Sequence, residues 1–144
     1  MGKFAIRRHY PTAIDFWITE ALHGEDFIVE AQIQVSGGPN TDNPLDWRIE
    51  TKVVFSAKLG ETLISKGTLT FVGFFDAPDE VAEENRQNYM VQNGVSILYS
   101  ATRELLANLT ARAPNKIIIL PPTFFGPVPP GGNVEGTQLT SVKT

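Results

Sequence analysis

The sequence has no cysteine and only two histidines, His9 and His23, in 144 residues. Without thiols there are no disulfides, no cysteine nucleophile and no thiolate metal site. Two imidazoles also exclude a histidine-rich metal centre. Long apolar runs are lacking too. The longest, around Ile117–Leu120, falls far short of the ~20 residues a membrane-spanning helix needs. The opening Met1-Gly2-Lys3-Phe4-Ala5-Ile6-Arg7-Arg8 puts its charges after its few apolar residues. No signal peptide or membrane insertion is therefore expected, and the expected location is cytoplasmic. Positive charge is not in excess: 12 basic against 16 acidic side chains give a net charge of -4. That balance argues against a nucleic-acid partner. What is present is 42% apolar and 19% charged residues, enough to bury the core of one ordinary domain.

The first half of the chain alternates with period two. Ile49, Thr51, Val53, Phe55, Ala57 and Leu59 fall on one side, with Arg48, Glu50, Lys52, Ser56 and Lys58 on the other. Such a strand has one side in a core and one in water. Phe27, Val29, Ala31, Ile33 and Val35 repeat the pattern. A third strand spans Thr62–Phe75, weakened or bent at Gly67 and Gly73. A fourth spans Phe4–Ile18, where Pro11 suits an edge strand or a bulge. Ser36-Gly37-Gly38-Pro39-Asn40 and Leu59-Gly60-Glu61 carry turn chemistry. Four consecutive strands with short connections predict a four-stranded antiparallel meander with one wet face.

After the strands the period changes. Asp76-Ala77-Pro78-Asp79 has the capping aspartate, early proline and acids of a helix start, with Gly94 a candidate break or kink. Val95, Leu98, Tyr99, Thr102, Leu105, Leu106 and Leu109 then share one arc of roughly 120° on a helical wheel. That stripe is expected to cover the sheet, making an α+β fold with a long helix on one face. The opposite side is poor in charge for a solvated helix back. Ile97, Ser100, Ala101, Glu104, Ala107, Asn108 and Ala111 are the expected interface with another copy, an ordinary exposed Ala-rich face being the alternative. Beyond the helix, 116–120 is extended and apolar. Five of the ten prolines then fall within residues 121–130. The expectation is a domain over 1–125 and a Pro/Gly-rich, mobile tail over 126–144.

Catalytic chemistry is hard to assemble. His23-Gly24-Glu25-Asp26 brings an imidazole near two carboxylates, but its place between strands suits a polar turn. His9 follows Arg7 and Arg8 at a solvated strand position. Ser36-Gly37-Gly38 lacks the lysine and following helix of a phosphate loop. The acids Asp76, Asp79, Glu80, Glu83 and Glu84 read as helix capping, or as a patch for a basic partner; they sit on a helix start, which suits calcium poorly. The adjacent aromatics Phe16, Trp17, Phe74, Phe75, Phe124 and Phe125 are the remaining oddity. Neighbours in a strand point to opposite faces, so both members of a pair cannot share one core. They are either plain packing or the walls of an apolar groove.

The order of elements resembles the export chaperone SecB and its relatives. Asn93-Gly94-Val95-Ser96-Ile97-Leu98-Tyr99-Ser100-Ala101-Thr102-Arg103-Glu104-Leu105-Leu106-Ala107-Asn108-Leu109-Thr110-Ala111-Arg112 is similar to the family's helix, with its Ile-Leu-aromatic step and small-Arg-Glu step. The spacing in Leu120-Pro121-Pro122-Thr123-Phe124-Phe125 resembles the segment that follows it. Leu59-Gly60-Glu61 resembles its turn before the fourth strand, and Phe4-Ala5-Ile6-Arg7-Arg8-His9-Tyr10 its opening strand. The likeness spans about residues 4–125.

The resemblance implies a homotetramer, a dimer of dimers with helices between sheets. It also implies a chaperone with no ATP, cofactor, metal or catalytic residues, holding unfolded polypeptides in apolar grooves, with protein export as the family's role. Phe16, Trp17, Phe74, Phe75, Phe124 and Phe125 would then be the polypeptide-binding residues. The chain departs from SecB in three places. Ser100 stands where SecB has a helix proline. Gly126–Gly132 cannot form the short C-terminal helix that borders SecB's groove. The outer sheet face carries Arg48, Lys52, Lys58 and Lys66 beside Glu30 and Glu50, so it lacks the acidic character through which SecB docks on the translocase motor, a partner the resemblance would otherwise imply. A structural, assembly or antitoxin-associated protein using the same fold for subunit contacts is the alternative.

Overall fold

A computed structural model describes residues 4–19, 27–111, 118–121 and 137–143. The elements run β1 (Ala5–Ile18), β2 (Phe27–Pro39), β3 (Asp46–Leu59), β4 (Thr62–Asp76), α1 (Glu83–Thr110) and β5 (Thr137–Lys143). The sheet is antiparallel throughout, in the order β1-β4-β3-β2-β5. The expected α+β architecture, antiparallel strands with a long helix on one face, is what the chain adopts. The expected meander runs through β2, β3 and β4. β1 crosses to the far side and pairs with β4, the four-strand arrangement of a Greek key.

Period two places the core. Val29, Ala31, Ile33 and Val35 of β2, with Ile49, Val53, Phe55 and Ala57 of β3, are buried on the helix side. Leu69, Phe71 and Phe75 continue that layer on β4. From α1, Met90, Val91, Val95, Leu98, Tyr99 and Leu106 close over it. Each such side chain withdrawn from water contributes about 1.5–3 kcal/mol before entropy is counted. Leu109 departs from the expected stripe and stays exposed, while Thr110 takes the buried place.

Three local expectations are corrected. The helix begins at Glu83, not at Asp76-Ala77-Pro78-Asp79. Asp76 still belongs to β4, and the Ala77 N–H donates to the Leu45 carbonyl at 2.7 Å. That bond ties the segment to the sheet and postpones the first helical turn. Nor does Gly94 kink α1, which runs unbroken for 28 residues. It is buried over β3, where a Cβ would collide with the Ile49 Cδ1 methyl, so the glycine sets how closely helix and sheet approach. The turn expected at Ser36-Gly37-Gly38-Pro39-Asn40 lies further on, since β2 continues to Pro39. Gly37 has φ +145°, and the Arg48 carbonyl leaves no room for a Cβ there. The reversal itself uses Asn40 and Asn43, whose side-chain oxygens accept from the N–H groups of Asp42 and Leu45 at 2.8 and 3.1 Å.

A fourth correction concerns the tail. Thr137–Lys143, within the segment expected to be mobile, pairs as β5 along β2 from Phe27 to Ile33. β2 would otherwise end the sheet with unpaired N–H and C=O groups. Any extended segment that reaches it gains main-chain hydrogen bonds whatever its polarity. The remainder of the tail, 126–136 and 144, lies outside the described residues.

Candidate functional site

Pro11 marks β1 as an edge strand, and the register with β4 shifts at Ile6/Arg8 and at Pro11/Ala13. α1 packs on β3 and β4. Opposite Phe75, Leu69, Gly67 and Ser65 of β4, the register puts Ile6, Ile14, Phe16 and Ile18 of β1 on the helix side of the sheet. Ile6 is 40% and Ile14 44% exposed, while Phe16 and Ile18 are half-buried. An apolar stripe, interrupted by exposed His9 opposite Gly73, therefore runs beside the helix without being sealed by it. Phe16 lies over Gly67, where a Cβ would meet the Phe16 backbone, and reaches Phe55 of β3 with ring centroids 6.2 Å apart.

The six aromatics expected to bind polypeptide do not share one groove. Phe75 is fully buried, stacked on Phe4 at 5.6 Å; it is core, because the register turns it under α1. Phe74, its neighbour, is half-buried on the outer face. There Tyr10 stacks on it at 6.5 Å, and the Arg8 guanidinium lies 4.5 Å from the ring centroid. Trp17 is on that outer face too, 48% exposed, but opposite Lys66, eight positions along β4 from Phe74. At ~3.3 Å per residue the two are far apart. Phe124 and Phe125 lie outside the described residues. Pattern reading overlooked Ile6, Ile14 and Ile18, although the alternation Ile14, Phe16, Ile18 after a strand-edge proline is the signal that finds them. The exposed Tyr10 and Ile28 had no such signal.

Charge around the stripe is compensated. Asp46 and Asp76 face each other across β3 and β4, which would repel. Arg7, set at the β1 bulge, pairs with Asp46 and lies 3.0 Å from Asp76. All three are partly solvated, so the gain is modest. The outer face carries exposed Arg48, Lys52, Lys58 and Lys66 with half-buried Glu30 and Glu50. Its open depression of about 330 Å³ is lined by both signs, Glu30 against Lys58 and Lys66.

On α1, Ser100, Glu104, Asn108 and Ala111 are exposed, and Ile97, Ala101 and Ala107 are half-buried. All seven lie within one arc of roughly 120° at 3.6 residues per turn, away from the buried stripe. One flank of the helix is occupied by residues 118–121. Ile118 and Leu120 are fully buried. The Tyr99 hydroxyl donates to the Pro121 carbonyl at 2.5 Å, and Arg103 Nε donates to the Leu120 carbonyl at 2.9 Å. Thr110 Oγ1 accepts from the Ile118 N–H at 2.9 Å and donates to the Leu106 carbonyl at 2.8 Å. Burial pushes the Tyr99 phenol above its ordinary range, and the Arg103 charge offsets only part of that.

His9 is exposed on β1, and among the described residues no group of three or more His, Asp or Glu side chains can hold a metal ion. No described helix is long and apolar enough to cross a membrane. What the arrangement offers is contact: an unsealed apolar strand and a weakly charged helix back.

As a sequence, the chain matches no family model and no curated protein. As a structure, it is similar to the Rv1957 SecB-like chaperone of Mycobacterium tuberculosis, solved in complex with a ChAD peptide from the Rv1956 HigA1 antitoxin. The two superpose with a TM-score of 0.66 at 14% identity, over 85% of this chain and 91% of that one. The chain has the fold of the SecB-like chaperones.

Proposed function

We propose that this chain is a non-enzymatic, nucleotide-independent chaperone of the cytoplasm that binds non-native polypeptide through apolar surface. The observation that carries the reading is the exposed aromatic content of the outer side of β1, with Tyr10 41% and Trp17 48% exposed, on a SecB-like fold; Ile6 and Ile14, on the helix side, are left to assembly. Monomeric soluble proteins rarely leave such a strand open without a partner. A non-native chain presents apolar side chains that this surface shields from water. Within the described residues the client contacts are separate patches, Trp17 and Phe74 at different places on the outer face and Phe16 on the helix side, which a long unfolded chain can touch in turn, with Phe124 and Phe125 completing the set.

Assembly as a dimer of dimers fits the same surfaces. Two different self-complementary interfaces are needed for such a tetramer. The chain has two uncovered candidates: the β1 edge with Ile6 and Ile14, and the back of α1 from Ile97 to Ala111. The mixed charge of the outer face leaves docking to a translocase motor out of this reading. The antitoxin peptide on the mycobacterial neighbour favours a narrower second version, in which the client is one dedicated partner such as an antitoxin.

The test is aggregation of several unfolded proteins, diluted from denaturant with and without this chain and with no nucleotide present. Suppression near one tetramer per client is expected. No suppression with any client sinks the general chaperone. Clients captured from the native host then separate many partners from one. A discrete oligomer that captures none identifies a purely structural or assembly protein.

A further inference from the structure

The edge of β2 is occupied by the chain's own C-terminal strand, and the occupant is poorly suited to stay. β5 pairs over seven positions, Phe27↔Lys143 to Ile33↔Thr137, yet Thr137-Gln138-Leu139-Thr140-Ser141-Val142-Lys143 contains only two apolar residues. The register sets Thr137, Leu139 and Ser141 opposite Ile33, Ala31 and Val29 respectively, buried β2 positions of the core face. Of these three only Leu139 is apolar. What β5 contributes is therefore chiefly main-chain pairing, which is indifferent to sequence. An extended segment with apolar residues at alternate positions would make the same ladder and bury more.

We propose that the β2 edge from Phe27 to Ile33 is a binding site for an extended, apolar client segment, and that β5 is an intramolecular competitor for it. The inference rests on the polypeptide-binding reading above. Fifteen residues, 122–136, join Pro121 to Thr137, a tether that keeps β5 at an effective concentration in the millimolar range. A weakly bound plug is then always at hand. It shields the edge from pairing with other sheets and yields to a client that binds the same edge more tightly. The apparent affinity of the intact chain is lowered by the fraction of time the edge is closed.

The experiment compares four full-length or near-full-length forms. They are the intact chain, a chain ending at Gly136, Leu139→Pro, and the double variant Gln32→Cys/Gln138→Cys. Gln32 and Gln138 are register partners, and a chain without cysteine gives one unambiguous disulfide. The probe is reduced, carboxymethylated α-lactalbumin, a chain that cannot refold, and circular dichroism confirms that each form is folded. Truncation and Leu139→Pro should each tighten binding by at least about threefold. The oxidised double variant should bind more weakly than the intact chain, and reductant should restore it. Equal affinity in all four forms overturns the competitor while leaving polypeptide binding intact. Weaker binding on truncation overturns it as well, since β5 would then be part of the client surface. Absence of binding by every form overturns both readings.

Discussion

The Tyr99 hydroxyl reaches the Pro121 carbonyl at 2.5 Å across 22 residues of sequence. With the Arg103 bond to Leu120, it fastens the segment after α1 to the flank of the helix. Tyr99→Phe leaves a buried carbonyl short of a donor, at a cost of about 1–3 kcal/mol. It also changes the response to pH. Burial keeps the phenol neutral above its ordinary value of about 10, so its folded value exceeds its unfolded one. The stabilisation is complete below about pH 10. It is lost as pH rises further, because the unfolded chain ionises Tyr99 while the folded one resists. Urea midpoints at pH 8, 10 and 11 should therefore fall more steeply for the natural chain than for Tyr99→Phe. Parallel slopes would remove Tyr99 from the alkaline response.

Gly94 and Ile49 fix the spacing of helix and sheet. Alanine in place of glycine gains up to ~1 kcal/mol in helix propensity, but its Cβ collides with the Cδ1 methyl of fully buried Ile49. Valine adds two more methyls and should cost about 1–3 kcal/mol by overpacking. Ile49→Val removes the colliding Cδ1, so Gly94→Ala/Ile49→Val should be more stable than the two single changes sum to. Additivity in thermal or urea unfolding would show that helix and sheet separate freely at this point.

How far the fold could be read from the sequence follows from what each pattern reports. Alternation in 27–35 and 49–59 reports burial directly, and Val29, Ile33, Ile49, Val53 and Phe55 are all core. Pro11 reported an edge, and β1 is one. Strand order was not legible. Pairing β1 with β4 depends on a crossover that no local residue encodes. The helix start was misplaced because Asp76-Ala77-Pro78-Asp79 satisfies capping rules locally, while the Ala77–Leu45 hydrogen bond that overrides them is tertiary. β5 was illegible because main-chain pairing to a free edge leaves almost no mark in composition. In the candidate site, adjacency of aromatics showed that each pair must split between faces. Which member is buried was settled by register, invisible without the partner strand.

Phe75 and Trp17 make that split measurable. Phe75 fills the core beneath α1, so Phe75→Ala should destabilise the fold by about 3–5 kcal/mol. Trp17 is half exposed on the edge strand. Trp17→Ala should leave stability nearly unchanged and weaken binding of an unfolded chain about tenfold, as loss of an aromatic anchor does. Urea unfolding and titration with a labelled unfolded client give both numbers on the same samples. A Trp17→Ala protein that is as tight as the natural chain would exclude Trp17 from the client surface.

Ala107 tests assembly through the helix back. It is half-buried, one turn from exposed Ala111 and beside exposed Glu104 and Asn108, on a side of α1 whose small residues let another helix come close. A glutamate there is helix-compatible and should leave the monomer folded. Packed against a second helix, it would bring an unpaired carboxylate into an apolar contact, a cost of several kcal/mol. Native mass by light scattering at micromolar concentration should therefore drop by half or more in Ala107→Glu, with the helix signal in circular dichroism retained. The β1 edge supplies the contrast, because Ile14→Lys alters the other uncovered surface and leaves α1 untouched. If the two surfaces form the two interfaces of a dimer of dimers, each single variant should stop at a dimer and the double variant at a monomer. An unchanged mass in Ala107→Glu would return the helix back to the status of an ordinary alanine-rich surface.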